Sequence, residues 1–212
     1  MSIDRLHFET GDGLALEGEL RLPPGGAPPR AGVSFATAHP RHGGSMRAAL
    51  ISRVGQAVVA DGLAFLRWHF RGSGASEGVH TDGELEPGDV RAAARVLAGR
   101  GIERIILAGW SFGGDMSLRA APGVPGAVGV IAVGPPLWWV KRHHVAALAE
   151  WGRPVRFVLC ERDELRPPSV VAERMGGLPD VGFTVLPGAD HLLTTGTDEA
   201  VTVVAGYAAE LA

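Results

Sequence analysis

The sequence predicts an α/β protein with a mostly parallel central sheet of about eight strands, the first pair antiparallel, and helices on both faces. Three observations carry that prediction. Beyond residue 30, short and nearly uniform apolar runs recur, as strands buried on both faces require. Segments with helical spacing separate these runs, and strand–helix–strand order implies parallel pairing through right-handed crossovers. Before residue 30 the texture is instead that of a hairpin.

The elements follow in order. "IDRLHFE" (3–9) and "LALEGELRL" (14–22) pair across Gly11-Asp12-Gly13, and "PPGGAPP" (23–29) is a turn cluster at an exposed corner. The buried strands are "AGVSFATA" (31–38), "LAFLRWHF" (63–70), "RIILAGW" (104–110), "AVGVIAVG" (127–134), "VRFVLC" (155–160) and "VGFTVLP" (181–187). Between them, 46–60 places Met46, Leu50, Val54 and Val58 on one helical side, and 89–99 does the same with Val90, Ala93, Ala94 and Leu97. Segments 112–120, 143–150, 169–176 and 198–211 fill the remaining gaps. No internal repeat or linker interrupts them, so residues 1–212 read as a single domain.

Composition narrows the function classes. A length of 212 residues, 46% hydrophobic and 20% charged, fits one globular core. A net charge of -3 gives no electrostatic case for nucleic acid or for an anionic membrane as partner. The single cysteine, Cys160, excludes an internal disulfide and a cysteine-based zinc site, and its apolar run predicts a buried, inert thiol. "MSIDRLHFET" lacks a basic segment leading into an apolar one, and no apolar run approaches the roughly 18 to 20 residues that span a bilayer. The expectation is a cytoplasmic protein. A homodimer through a sheet edge or helix face is compatible with the pattern.

Ligands of such sheets bind at the carboxyl ends of the strands, so chemistry is sought in the loops there. "AGWSFGG" fits G-x-S-x-G between a strand and a helix, the context of a strained turn that exposes a serine hydroxyl at a helix head. The alternative is a glycine-rich turn with a capping serine. Ser111 is the candidate nucleophile and needs a base. His191, in "LPGADHLLTTG" after the last strand, can reach over the sheet edge. His7 and His69 sit in strands and His143-His144 in a helical segment, whereas the loop residue His80 is not excluded by position. Asp163 follows "VRFVLC" and would orient the imidazole, with Glu161 and Glu164 as rivals; Asp190 adjoins His191 and is discounted.

Acyl transfer also requires donors for a tetrahedral oxyanion. The first is the backbone N–H of Phe112, directly after the serine. The second comes from "HPRHGGSM", with the N–H of Arg41 first by position and that of His42 as the alternative. His39 and His42 beside Arg41 also raise a metal or anion site, but no third ligand type is placed to complete it, so no metal is expected.

With these residues in hand, the chain resembles the α/β-hydrolase superfamily, and specifically its small bacterial members without a separate cap domain. The resemblance spans nearly the whole chain through "HPRHGG", "FRGSGASEG", "GWSFGG", "ERDELRPP" and "GADHLL", in the family's order. It implies a triad of Ser111, Asp163 and His191 and an oxyanion hole at Phe112 and Arg41. Two departures are Glu161, where many relatives have a small residue, and a glycine-bearing loop shorter than the His-Pro-His-Pro form, with Arg41 in it. "FRGSGASEG" reads as architectural, with Arg71 paired to an acid such as Glu86 or Asp89. The connection "PPLWWVKRHHVAALAEWG" has room for one helix, hence no cap, and its Trp138, Trp139 and Trp151 serve either as packing or as an apolar wall. His39, His42, Trp110, Trp138 and Trp139 are the candidate pocket. The expected activity is a serine hydrolase acting on a carboxylic ester or thioester of a small or accessible substrate, without cofactor. The alternatives are a peptidase or acyltransferase on the same residues, or a binding module that keeps the fold without turnover.

Overall fold

A computed structural model describes residues 2–25 and 28–212, so part of the predicted corner at 23–29 lies outside the described residues. Eight strands form one sheet in the order β1-β2-β4-β3-β5-β6-β7-β8. They are β1 (Ser2–Glu9), β2 (Ala15–Leu22), β3 (Gly32–Ala36), β4 (Ala64–Trp68), β5 (Ile105–Trp110), β6 (Ala127–Val133), β7 (Val155–Cys160) and β8 (Val181–Leu186). β2 pairs antiparallel with both β1 and β4, and every pairing from β4 to β8 is parallel. The hairpin closes where the N–H of Thr10 donates to the carbonyl of Leu14 at 2.9 Å.

Among the described residues, six α-helices cover the sheet: α1 (Ala49–Ala60), α2 (Glu86–Ala98), α3 (Phe112–Ala120), α4 (Arg142–Trp151), α5 (Pro168–Met175) and α6 (Thr197–Leu211). The period-two alternation of β5 sends Ile105 and Leu107 to one face and Ile106 and Ala108 to the other. That first face belongs to a core shared with Val90 and Leu97 of α2, Met116 of α3 and Met175 of α5. The second belongs to a core shared with Val54 and Val58 of α1 and with Val204 and Ala208 of α6. Each large side chain so buried contributes about 1.5–3 kcal/mol of transfer free energy. That two-sided burial fixes the register of the central strands and thereby the position of their carboxyl ends.

Two helix starts differ by more than one residue from the sequence expectation. α1 begins at Ala49, not 46, because the N–H of Met46 donates to His69 Nε2 at 3.1 Å and leaves the helical path, although the Met46 side chain is buried as expected. α2 begins at Glu86, three residues early, with Pro87 in its first turn where a missing N–H costs nothing. The "FRGSGASEG" segment is architectural: Arg71 reaches Asp89 at 2.6 Å and Asp12 at 2.9 Å, tying the first hairpin to α2. Glu86 is not its partner.

Candidate active site

The turn between β5 and α3 is strained at the residue the motif singles out. Ser111 has φ 53° and ψ -118°, a region that side chains avoid. It is held by its N–H, which donates to the carbonyl of Val133 at 2.7 Å, and by its own carbonyl, which accepts from Gly114 at 2.9 Å. The flanking glycines are there for space. A Cβ on Gly109 would lie 2.2 Å from the Gly113 carbonyl, and one on Gly113 would lie 2.4 Å from the carbonyl oxygen of Ala36. The backbones of β3, β5 and α3 therefore meet closely enough to thrust the serine hydroxyl outward.

His191 and Asp163 arrive from the loops after β8 and β7. Ser111 Oγ lies 2.9 Å from His191 Nε2, and His191 Nδ1 lies 2.8 Å from Asp163 Oδ2. All three residues are buried. A carboxylate only accepts, so the proton resides on Nδ1 and the lone pair of Nε2 faces the hydroxyl. The N–H groups of Leu165 and Arg166 hold Asp163 Oδ1 at 2.9 and 3.0 Å. Gly134, directly after β6, takes φ 50°, a left-handed conformation that favours glycine, beside Asp163 and His191. The rival acids are engaged elsewhere: Glu161 accepts from the N–H of Gly188 at 2.6 Å, and Asp190 accepts from the N–H of Thr194 at 2.8 Å. Glu164 approaches only the backbone N–H of His191, at 3.5 Å, and lines the cavity.

On the oxyanion side, the N–H of Phe112 opens α3, ahead of the helix's first internal bonds. Pro40–His42 form a short 3-10 turn capped by His39, whose Nδ1 accepts the Arg41 N–H at 3.2 Å while its carbonyl accepts the His42 N–H at 3.0 Å. Neither N–H meets an oxyanion without first giving up a loop bond. The Arg41 side chain turns outward, to the carbonyl of His80 and to Asp82.

A cavity of about 240 Å³ opens at Ser111 and His191. His39, His42, Trp110, Trp138 and Trp139 line it, together with Ala38, Pro136, Leu165 and Leu192. Trp151 instead packs against the core. Trp139 stands perpendicular to the Phe112 ring at 4.9 Å, and its loop is anchored by Asp115, which accepts from the N–H groups of Leu137 and Trp139 at 3.0 and 3.2 Å. Burial pushes the Asp115 carboxyl up to about 7 against those bonds. Asp115 was missed although "GWSFGGD" puts an acid on the face of α3 that turns into the core. His39 and His80 are lowered from the usual imidazole range, first by burial; neighbouring His80 and His42 push His39 the same way, while Glu86 and Asp82 oppose the shift of His80. The loop after β4 brings His80 and Asp82 beside His39.

No family model matches the chain. Among solved structures, an α/β serine hydrolase homologue from Coxiella burnetii is 26% identical with a TM-score of 0.84, covering 98% of both chains. An α/β serine hydrolase without a lid from Xanthomonas campestris is 24% identical with a TM-score of 0.80, covering 99% of this chain and 93% of that one. The esterase domain of a Rhodothermus marinus protein is 22% identical with a TM-score of 0.76, covering 99% and 97%. The chain is an α/β-hydrolase by fold. It is of the capless kind, and these likenesses support a hydrolase of that fold. Among the described residues, no helix is long and apolar enough to cross a membrane.

Proposed function

We propose that the protein is a serine hydrolase that cleaves a carboxylic ester or thioester through an acyl-enzyme. The observation that carries this reading is the continuous chain Ser111 Oγ–His191 Nε2 and His191 Nδ1–Asp163 Oδ2, at 2.9 and 2.8 Å. His191 takes the Ser111 proton as Oγ attacks the acyl carbon, and Asp163 stabilises the imidazolium. The oxyanion is met by the Phe112 N–H at the positive end of α3. The imidazolium then protonates the leaving alcohol or thiol as its bond to the acyl carbon breaks. Water, deprotonated by His191, releases the acid and restores Ser111.

The cavity supports a small acyl group. Its volume of about 240 Å³ lies below the ~300–1,000 Å³ of sites for drug-sized ligands, and its walls are aromatic and aliphatic. Short aliphatic or single-ring acyl groups fit this volume; long chains do not. Hydrolysis of p-nitrophenyl esters from acetate to palmitate, with benzoate included, tests the reading. Turnover should peak at short or single-ring acyl groups and fall by about 10³-fold or more in Ser111→Ala. Equal rates for wild type and Ser111→Ala would refute it.

A further inference from the structure

We propose that His39, His80 and Asp82 form a binding site for a divalent transition-metal ion of the zinc type beside the candidate active site. The three residues come from two loops, after β3 and after β4, both at the carboxyl edge of the sheet. Their ligand atoms form a nearly equilateral triangle. His39 Nε2 lies 3.3 Å from His80 Nε2 and 3.4 Å from Asp82 Oδ1, and His80 Nε2 lies 3.5 Å from that same oxygen. Tetrahedral coordination at about 2.0–2.1 Å has ligand–ligand edges of about 3.3–3.4 Å. An ion slightly off the plane of this triangle lies at about 2.0–2.1 Å from all three atoms, as tetrahedral coordination requires. Two imidazoles and one carboxylate suit zinc, and three protein ligands leave a fourth position for water.

The ligands are also supported from behind. Glu86, fully buried, lies 3.0 Å from His80 Nδ1, off the line of a full hydrogen bond but on the side that leaves Nε2 for the ion. Glu86 is itself fixed by the N–H of Thr81 at 2.7 Å, the Thr81 hydroxyl and the N–H of Gly83. A carboxylate behind a ligating histidine is the usual outer-shell partner of such sites. The His39 and His80 rings both pack on Phe112, at 4.9 and 5.1 Å, which limits their rotation.

Two features oppose the ion. The Arg41 guanidinium sits 3.4 Å from Asp82 Oδ2 and donates to the His80 carbonyl at 3.1 Å, contacts that the ion must displace, although the side chain is more than half exposed. A neutral His39 that ligates through Nε2 carries its proton on Nδ1, so the Arg41 N–H must release its bond to that atom. Removing the Arg41 side chain therefore favours the ion.

Isothermal titration of zinc into chelator-treated full-length protein tests the proposal, with a thermal shift as second readout. One ion per chain is expected, with a rise in melting temperature on binding. Asp82 has φ 52°, which glycine adopts without strain, so Asp82→Gly should fold normally and weaken binding by at least about tenfold. His80→Ala should do the same, and Arg41→Ala should tighten binding. The exposed His143–His144 pair, with Nε2 atoms 3.0 Å apart, is the rival chelator. Replacing both by alanine should leave the high-affinity site unchanged. The proposal is overturned by an absence of zinc binding, by binding that Asp82→Gly leaves unchanged, or by binding lost in the His143/His144 variant.

Discussion

The strain at Ser111 makes a prediction whose sign distinguishes it from ordinary packing. Consider Ser111→Gly against Ser111→Ala. Both variants lose the hydroxyl and its contact with His191, so that loss cancels between them. At φ 53° and ψ -118° a Cβ costs about 1–3 kcal/mol, which glycine relieves. Glycine gives back about 0.5–1 kcal/mol through the greater freedom of its unfolded chain. The net difference is about 1 kcal/mol in favour of glycine. For a chain of this length that is a melting temperature about 2–4 °C above that of the alanine variant. At an unstrained position the order reverses. Differential scanning calorimetry of the two silent variants side by side measures it. An alanine variant as stable as the glycine variant, or more so, would refute strain at the turn.

Further perturbations address the acid, the glycine spacing and the pH response. Asp163→Asn should lower kcat by about 10⁴-fold at neutral pH, while Glu161→Gln, remote from His191, should stay within about threefold; steady-state ester hydrolysis reads both. Gly113→Ala sets a Cβ 2.4 Å from the Ala36 carbonyl oxygen, so a loss of about 3 kcal/mol is expected in urea denaturation. Burial opposes the charge of Glu17, yet the Ala75 N–H, His69 and Arg47 outweigh it and hold the carboxyl at about 2 instead of 4.5. The folded value is depressed, so its contribution, at most about 3 kcal/mol, is complete above the unfolded value and is lost as pH falls from about 4.5 toward 2. Urea midpoints of wild type and Glu17→Gln should therefore converge on acidification over that window; a gap that stays constant would refute the assignment.

What the sequence disclosed was local. Uniform apolar runs such as "RIILAGW" and helically spaced ones such as Leu50, Val54 and Val58 encode burial directly, and the eight strands are where those runs are. The turn at Ser111 was legible because its glycines answer a crowding that any side chain would worsen. Asp163, Glu161 and Glu164 were not separable by sequence alone. Only the course of the 161–166 turn decides that Asp163 faces His191 while Glu161 caps Gly188. The 39–44 loop was not legible for a similar reason: its sequence does not show that the Arg41 and His42 N–H groups bond the His39 side chain and carbonyl. His80 and Asp82 lie some forty residues from His39 and share no pattern with it, so the cluster becomes visible only once adjacent β3 and β4 bring their loops together.

Activity-based labelling with a fluorophosphonate, read by intact mass and peptide mapping, tests whether Ser111 is the nucleophile. One adduct per chain is expected, on Ser111, absent in Ser111→Ala and greatly slowed in His191→Ala. Equal labelling of wild type and Ser111→Ala, or an adduct on another residue, would contradict it.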